Sequence, residues 1–448
     1  VAGLQEIDTI VVVMLENRSF DNVLGHLRHP KYGDRAEVDG LRDPQTTADY
    51  DNFFDGQVYK PFPTTDKAFR HDFPHDRAGI ATQLDVVNGQ ATMAGFVQAY
   101  VDKTQSTVKR PPPLGFLKPK MVPVSGFLAR EYGLCDRWFA PLPTGTQPNR
   151  AVAFSGTSRI DDNVIGLIPY DELVFDWLEA RNVRWRVYHS GLSFFLLFGR
   201  IDDALGPHFR SVRRLAQDFL DEDPAAAPQV VFIEPEYEDS PVHLGYVPND
   251  NHPPLPIGPG EVFLHGIYTA LTRNRARWAR TLLVVTYDEH GGFYDHVEPA
   301  PVRLDPAPNA RFTDPFETTG VRVPALVASP WVPRGGVCKA RLDHTSILQL
   351  LAEKFAGGPN DYSPEVTRRR EQGIESLSRV LALPAPRADV PAPPAAAIEA
   401  KSIVRGGAKK SQTENQVAFA AAARTCLASD RPRALDRFPE LAVLPPED

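Results

Sequence analysis

Short apolar runs rich in β-branched residues alternate along most of the chain with stretches of helical period. "IDTIVVVML" (7–15), "VRWRVYH" (183–189), "APQVVFIE" (227–234), "TLLVVTY" (281–287) and "VRVPALVAS" (321–329) read as buried parallel strands, because near-continuous apolar runs belong to strands covered on both faces. Between them, "DELVFDWLEARN" (171–182), "EVFLHGIYTALTR" (261–273) and "TSILQLLAEKF" (345–355) space their apolar residues three and four apart, as helices do. The alternation predicts an α/β fold: a doubly wound, mostly parallel central sheet with helices on both faces.

The pattern lapses twice. Residues 28–80 are rich in Asp, Pro, Gly and aromatics without sustained periodicity, so residues 28–120 are expected to carry long cap loops over the active-site edge of the sheet. "LPAPRADVPAPPAAA" from 383 opens a Pro/Ala linker reaching about residue 400, and "TENQVAFAAAARTCLA" (413–428) reads as one alanine-rich helix. The expected organisation is a catalytic domain over 1–382, the linker, and a C-terminal helical appendage over 401–448.

Composition narrows the function classes. With 42% hydrophobic and 24% charged residues the chain is globular, and a net charge of −8 argues against a nucleic-acid footprint and against attraction to anionic membranes. Forty-three prolines suit long ordered loops. Cys135, Cys338 and Cys426 are widely spaced with no CxxC, so they indicate neither a zinc ribbon nor a disulfide framework and allow one bridge at most. No apolar run reaches the 18 residues of a spanning helix; the densest, "LSFFLLF" (192–198), is expected to be buried rather than lipid-facing. The chain starts at Val1 rather than Met, which sets the expectation of an exported protein whose leader has been removed, with a cytoplasmic location left open.

Candidate chemistry sits where strands end. In an open parallel sheet ligands bind outside the carboxyl ends of the strands, where Glu16 and Asn17 follow "VVVML" and Asp288 and Glu289 follow "TLLVVTY". Ser19 is placed to cap the helix after the first pair. Either pair alone would serve as loop acids capping the next helix; converging, they would repel unless a cation lay between them. Oxygen donors without cysteine suit Ca²⁺, Mg²⁺ or Mn²⁺ better than a structural zinc. In "PLPTGTQPNRAVAFSGTS" (141–158), Pro148 and Gly156 mark a helix's first turn and stop, putting Thr146 at the N-cap, where unpaired N–H groups favour phosphate. A metal touching that hydroxyl would make it a nucleophile. His75, His189, His252, His290, His296 and His344 all lie beside strand ends or turns, as phosphoryl ligands or proton donors whose roles spacing does not assign.

"MLENRSFDNVLG", "TQPNRAVAFSGTS", "NHPP", "TYDEHGGFYDHV" and "DHTSILQLLAEKF", in that order, resemble the bacterial phosphoesterase family of phosphatidylcholine phospholipases C and Francisella-type acid phosphatases, within the alkaline phosphatase-like superfamily. The match runs over residues 5 to 360 or so. The resemblance implies one divalent metal ion (Ca, Mg, Mn or Zn) held by Glu16, Asn17, Thr146, Asp288 and Glu289, with Thr146 as nucleophile. It further implies His75 and His189 on the phosphoryl oxygens, and His252 and His344 as acids near the position of the superfamily's second ion. The expected substrate is a phosphate-ester small molecule or a phospholipid, with at most transient contact with a lipid surface and no nucleic acid. A phosphomonoesterase of the same family is the alternative. Sulfatase chemistry would need a CxPxR-type sequence, which "TQPNR" is not; a silent headgroup- or carbohydrate-binding protein would have little use for all four ligands and the hydroxyl.

Overall fold

The computed structural model describes residues 2–65, 68–243, 247–396 and 412–445. Its centre is an eight-stranded sheet. In chain order the strands are β1 (Thr9–Leu15), β2 (Gly133–Cys135), β3 (Trp185–His189), β4 (Phe209–Ser211), β5 (Val230–Glu234), β6 (Thr281–Tyr287), β7 (Ala325–Ala328) and β8 (Gly336–Cys338). They lie side by side in the order β4-β3-β5-β1-β6-β7-β2-β8. β1 is central, and all of its residues are buried, as are those of β6. That two-sided burial is why both runs read as unbroken apolar sequence.

Every pairing is parallel except those of β7, which runs antiparallel to both β6 and β2. The run at 321–329 was expected to be parallel. Burial on both faces gives a strand the same composition in either direction; the connection sets direction, and residues 288–324 form loops rather than a crossover helix. Three strands escape the periodicity reading, β2, β4 and β8, because three residues are too few to show a period.

The helices that frame the site are α1 (Thr146–Ser155), α2 (Gly258–Thr272), α3 (Thr345–Phe355) and α4 (Glu414–Ser429). Sheet and helices enclose one main core, which takes in Phe419, Ala423 and Cys426 of α4 and Phe438 beyond it. Residues expected as a C-terminal appendage thus pack on the sheet's own core; residues 397–400 of the linker expected over 383–400, and residues 401–411 of the appendage, lie outside the described residues. Within 28–120 the cap is more ordered than loops alone: helices Arg77–Leu84 and Phe96–Thr104 share a smaller core with Leu41, Tyr50 and Phe116. "LSFFLLF" is buried as expected, Phe194–Phe198 forming a 3-10 turn whose start is capped by the Ser193 hydroxyl. No helix of the described residues is long and apolar enough to cross a membrane.

Candidate active site

Register puts four strand ends level. Leu15 of β1 pairs with Tyr287 of β6, and Glu234 of β5 pairs with His189 of β3. The residues that follow β1 and β6 therefore emerge side by side: Glu16 and Asn17 from one strand, Asp288 and Glu289 from the other. The Asn17 N–H donates to Asp288 Oδ1 (3.2 Å) and the Arg18 N–H to the Glu289 carbonyl (3.1 Å), lacing the two turns together. Asn17 has φ 60°, the left-handed region that asparagine tolerates better than most residues. Gly291 follows at φ 63°, and a Cβ there would overlap the Asn17 carbonyl oxygen. Ser19 caps as expected, its hydroxyl accepting from the Asn22 N–H (3.1 Å).

Thr146 arrives on α1. Gly145 is the N-cap, so Thr146 is the first helical residue rather than the cap itself; the extended backbone of Gly145 supplies the turn into the helix. The turn is clamped by Asn149, whose amide donates to the carbonyls of Thr144 (2.8 Å) and Gly145 (3.0 Å) and accepts from the Leu142 N–H (2.8 Å). The Thr146 hydroxyl then faces Asn17 Oδ1 at 3.5 Å, at the outer limit of a hydrogen bond.

One turn further along α1, Arg150 reaches back into the same place. Its guanidinium lies 3.0 Å from Glu16 Oε1, 3.0 Å from Asp288 Oδ2 and 3.0 Å from the Tyr237 hydroxyl, all fully buried. Two carboxylates, Glu16 and Asp288, thus share one guanidinium, and the third, Glu289, lies 3.2 Å from the His290 ring. Burial pushes the Glu16 carboxyl well above its ordinary range, with Asp288 and Asp250 adding to the rise and Arg150 opposing it. Burial and the adjacent Asp288 do the same to Glu289. Glu16 Oε2, Asn17 Nδ2 and Glu289 Oε1 are buried without a hydrogen-bond partner.

The histidines divide into two groups. His252 and His75 meet edge to face, ring centroids 6.0 Å apart, beside a cavity of about 640 Å³ that Asp72, Asp239, Asn163 and Asn415 also line. Ligand atoms of Glu16, Asp239 and His252 come within 4.8 Å of one another, as do those of Asp72, His75 and His252. Burial would lower the His252 pKa, but Asp239, Asp72, Glu16 and Glu238 outweigh it and raise it to about 10; burial lowers that of His75.

His344 and His189 have other attachments. His344 Nε2 donates to the Asp288 carbonyl (2.8 Å) and its Nδ1 accepts from the Trp138 indole (3.1 Å), so both nitrogens are taken and burial keeps the ring neutral, its pKa lowered to about 4. It positions the Asp288 turn, where an acid was expected. His189 spends Nδ1 on the Gly191 carbonyl (2.8 Å) and packs against Phe438 (4.8 Å between centroids), leaving Nε2 without a partner. His290 joins the cap to the site, its Nε2 lying 2.7 Å from Gln83 Oε1. His296 sits in a separate buried network with Asp21, Asp39, Asp295 and Arg322.

Sequence reasoning missed Arg150, Asp239, Asp72 and Glu234, whose Oε1 accepts from the Tyr237 hydroxyl (3.3 Å) that lies against Arg150. Arg150 was open to the helical rule that residues four apart share a face, and Glu234 to the strand-end rule that found Glu16. Asp72 and Asp239 carry no pattern beyond lying in the acid-rich stretches "HDFPHD" and "EPEYEDS".

The chain is 33% identical over 375 residues to non-specific phospholipase C1 of Arabidopsis thaliana, covering 78% of this chain and 67% of that protein. It is 30% identical over 413 residues to that plant's non-specific phospholipase C3, covering 86% and 75%. The non-hemolytic phospholipase C of Burkholderia pseudomallei is 26% identical over 424 residues, covering 81% and 57%. Residues 7–356 match the phosphoesterase family as a whole. The chain belongs to the phosphoesterase family and is a hydrolase of phosphoric ester bonds.

Proposed function

We propose that this protein is a phospholipase C acting on phosphatidylcholine-like lipids through a phosphothreonine intermediate and one divalent cation. The observation that carries the reading is the Thr146 hydroxyl at the start of α1, facing Asn17 Oδ1 between two strand ends that bear three buried carboxylates.

The donors fit a cation. Glu16 and Asp288 share the guanidinium of Arg150, and Glu16 Oε2 and Glu289 Oε1 are buried oxygens without a hydrogen-bond partner, donors that a hard cation would take. Glu16, Asn17, Thr146, Asp288 and Glu289 would hold it, and the ion would supply Lewis acidity, lowering the pKa of the hydroxyl and drawing charge from the phosphoryl oxygens. Thr146 Oγ1, as the alkoxide, then attacks phosphorus in line at the positive end of α1, whose dipole favours the equatorial charge. His252, held as an imidazolium by the surrounding carboxylates, gives its proton to the departing diacylglycerol oxygen. The neutral ring next takes a proton from water, whose oxygen attacks the phosphothreonine and releases the headgroup phosphate with Thr146 restored. His75, whose ring meets that of His252, would orient a phosphoryl oxygen.

Two features favour a phospholipid over a small monoester. The 640 Å³ cavity is edged by Asp76, Asp162, Glu238, Asp239 and Glu414, which suits a cationic group beyond the phosphate. A second cavity at the same sheet edge, about 550 Å³, is lined by Val212, Leu215, Phe263 and Ile267 and suits an acyl chain. The test is hydrolysis of p-nitrophenylphosphorylcholine and phosphatidylcholine vesicles by wild type and Thr146→Ala. The variant should lose activity by several orders of magnitude while melting where wild type melts; full activity refutes the nucleophile. Preference for p-nitrophenyl phosphate would make the protein a phosphomonoesterase instead.

A further inference from the structure

The last two strands of the sheet carry a feature that the phosphoesterase site does not use. β2 and β8 run parallel with Gly133 opposite Gly336, Leu134 opposite Val337, and Cys135 opposite Cys338. Paired positions on neighbouring strands project from the same face of the sheet, and neighbouring strands lie about 4.7 to 4.9 Å apart. That spacing falls inside the window of roughly 4.4 to 6.8 Å between Cα atoms that a disulfide requires. Both cysteines are free thiols, and the two share a hydrogen bond. Cys135 is buried, Cys338 is partly exposed, and β8 is the edge strand, with no neighbouring strand on its far side among the described residues to resist a small approach. A cavity of about 80 Å³ beside the pair, lined by Gly133, Leu134, Val337 and Cys338, leaves room for that adjustment.

We infer that Cys135 and Cys338 are a disulfide-forming pair, oxidised by thiol–disulfide exchange with a small disulfide or a disulfide-bearing oxidase. Cys338, the accessible sulfur, attacks one sulfur of the oxidant's disulfide as thiolate; a mixed disulfide forms and the oxidant's first thiol leaves. Cys135 then attacks the Cys338 sulfur, the intramolecular bond closes, and the second thiol leaves. The two cysteine protons end on the two released thiols, and the oxidant has gained two electrons. The shared hydrogen bond lowers the Cys338 pKa and, with burial, raises that of Cys135, which matches an attacking and a resolving sulfur.

The bond has a structural consequence at the site. Directly after the two cysteines the strands run on in company, Trp138 bridging Leu342 and the Trp138 indole donating to His344 Nδ1 (3.1 Å). The chain after β2 continues to Thr146 and that after β8 to His344. Oxidation therefore ties together the bases of two segments that build the active site, across about 200 residues of intervening chain.

The full chain is incubated with oxidised glutathione or with dithiothreitol, denatured in a thiol-alkylating reagent and weighed. The reduced protein should take up three labels and the oxidised protein one, with peptide mapping joining Cys135 to Cys338 and leaving Cys426 labelled. The oxidised protein should also melt several degrees higher, and Cys338→Ser should abolish both the cross-link and the difference in melting. Three labels after oxidation, glutathione retained on Cys338, or a cross-link through Cys426 would each overturn the assignment.

Discussion

Replacing Arg150 by methionine keeps most of the side-chain volume and removes the charge from between Glu16 and Asp288. Each ion pair measures 3.0 Å, and all three side chains are at most 1% exposed. Removing one partner of a buried pair strands the other, at a cost of about 3 to 5 kcal/mol. With an unfolding entropy of roughly 2.1 cal/mol/K per residue, 448 residues give about 0.9 kcal/mol/K, so Arg150→Met should lower Tm by about 3 to 5 °C without added metal. The same substitution removes a positive charge that opposes a cation at these carboxylates. Saturating Ca²⁺, Mg²⁺ or Mn²⁺ should therefore stabilise the variant more than wild type. A site filled at a hundred times its Kd contributes about 2.7 kcal/mol, close to 3 °C here, and a tenfold gain in affinity adds about 1.4 kcal/mol. Differential scanning calorimetry of both proteins, with chelator and with each ion, measures the eight melting points. If the ion raises the variant's Tm by less than the wild type's, Arg150 is not the counter-charge of a cation site and the reasoning fails.

Three further outcomes are expected. His252→Asn should slow the first turnover of phosphatidylcholine by about 10² to 10⁴ but the nitrophenol burst from p-nitrophenylphosphorylcholine by far less, since nitrophenolate leaves without a proton, while the steady state falls on both because the same ring serves the hydrolysis step; an equally slowed burst would remove His252 as the acid. Gly291→Ala combines a left-handed φ with overlap on the Asn17 carbonyl, so it should cost more than about 2 kcal/mol, read as a lower Tm and weaker ion-dependent stabilisation; a wild-type melting point would contradict the close approach. Burial disfavours the charged form of His296, yet Asp21 and Asp39 raise its pKa to about 9. A raised histidine stabilises fully below its unfolded value of about 6.5 and loses that contribution as pH climbs through about 9, worth on the order of 3 kcal/mol. The Tm gap between wild type and His296→Asn should therefore be widest at pH 6 and shrink by pH 9.5; a constant gap refutes the pairing.

The sheet was legible where burial on both faces left an unbroken apolar run, as at 9–15 and 281–287. It was illegible in the three-residue strands, and the direction of β7 was hidden because a doubly buried strand reads the same both ways. At the site, the strand-end rule brought out Glu16, Asn17, Asp288 and Glu289 because adjacency in the sequence to a buried run is adjacency to the sheet edge. It did not reveal Arg150, whose partners are 134 and 138 positions away, nor Asp239, which meets His252 only through the folding of a loop. His344 was recognisable as a site residue but not as a positioning one, because Trp138, the partner that occupies its Nδ1, lies 206 positions earlier.

α4 bears on how the protein is made as well as on what it does. Asn415 at its start lines the 640 Å³ cavity and accepts from the Gln147 amide (2.9 Å), and Phe419 covers Tyr237, the tyrosine bonded to Arg150. A chain emerging from the ribosome folds its N-terminal portions first, so the nucleophile and all the strand-end acids are in hand well before this wall exists. Until α4 has emerged and docked, Phe194 and Tyr237 lack their Phe419 cover, and the pocket stands open along one side. Its closure waits on Glu414–Ser429, about 125 residues after the second pair of strand-end acids, so over that stretch of synthesis the nascent protein holds its reactive groups in an unfinished pocket.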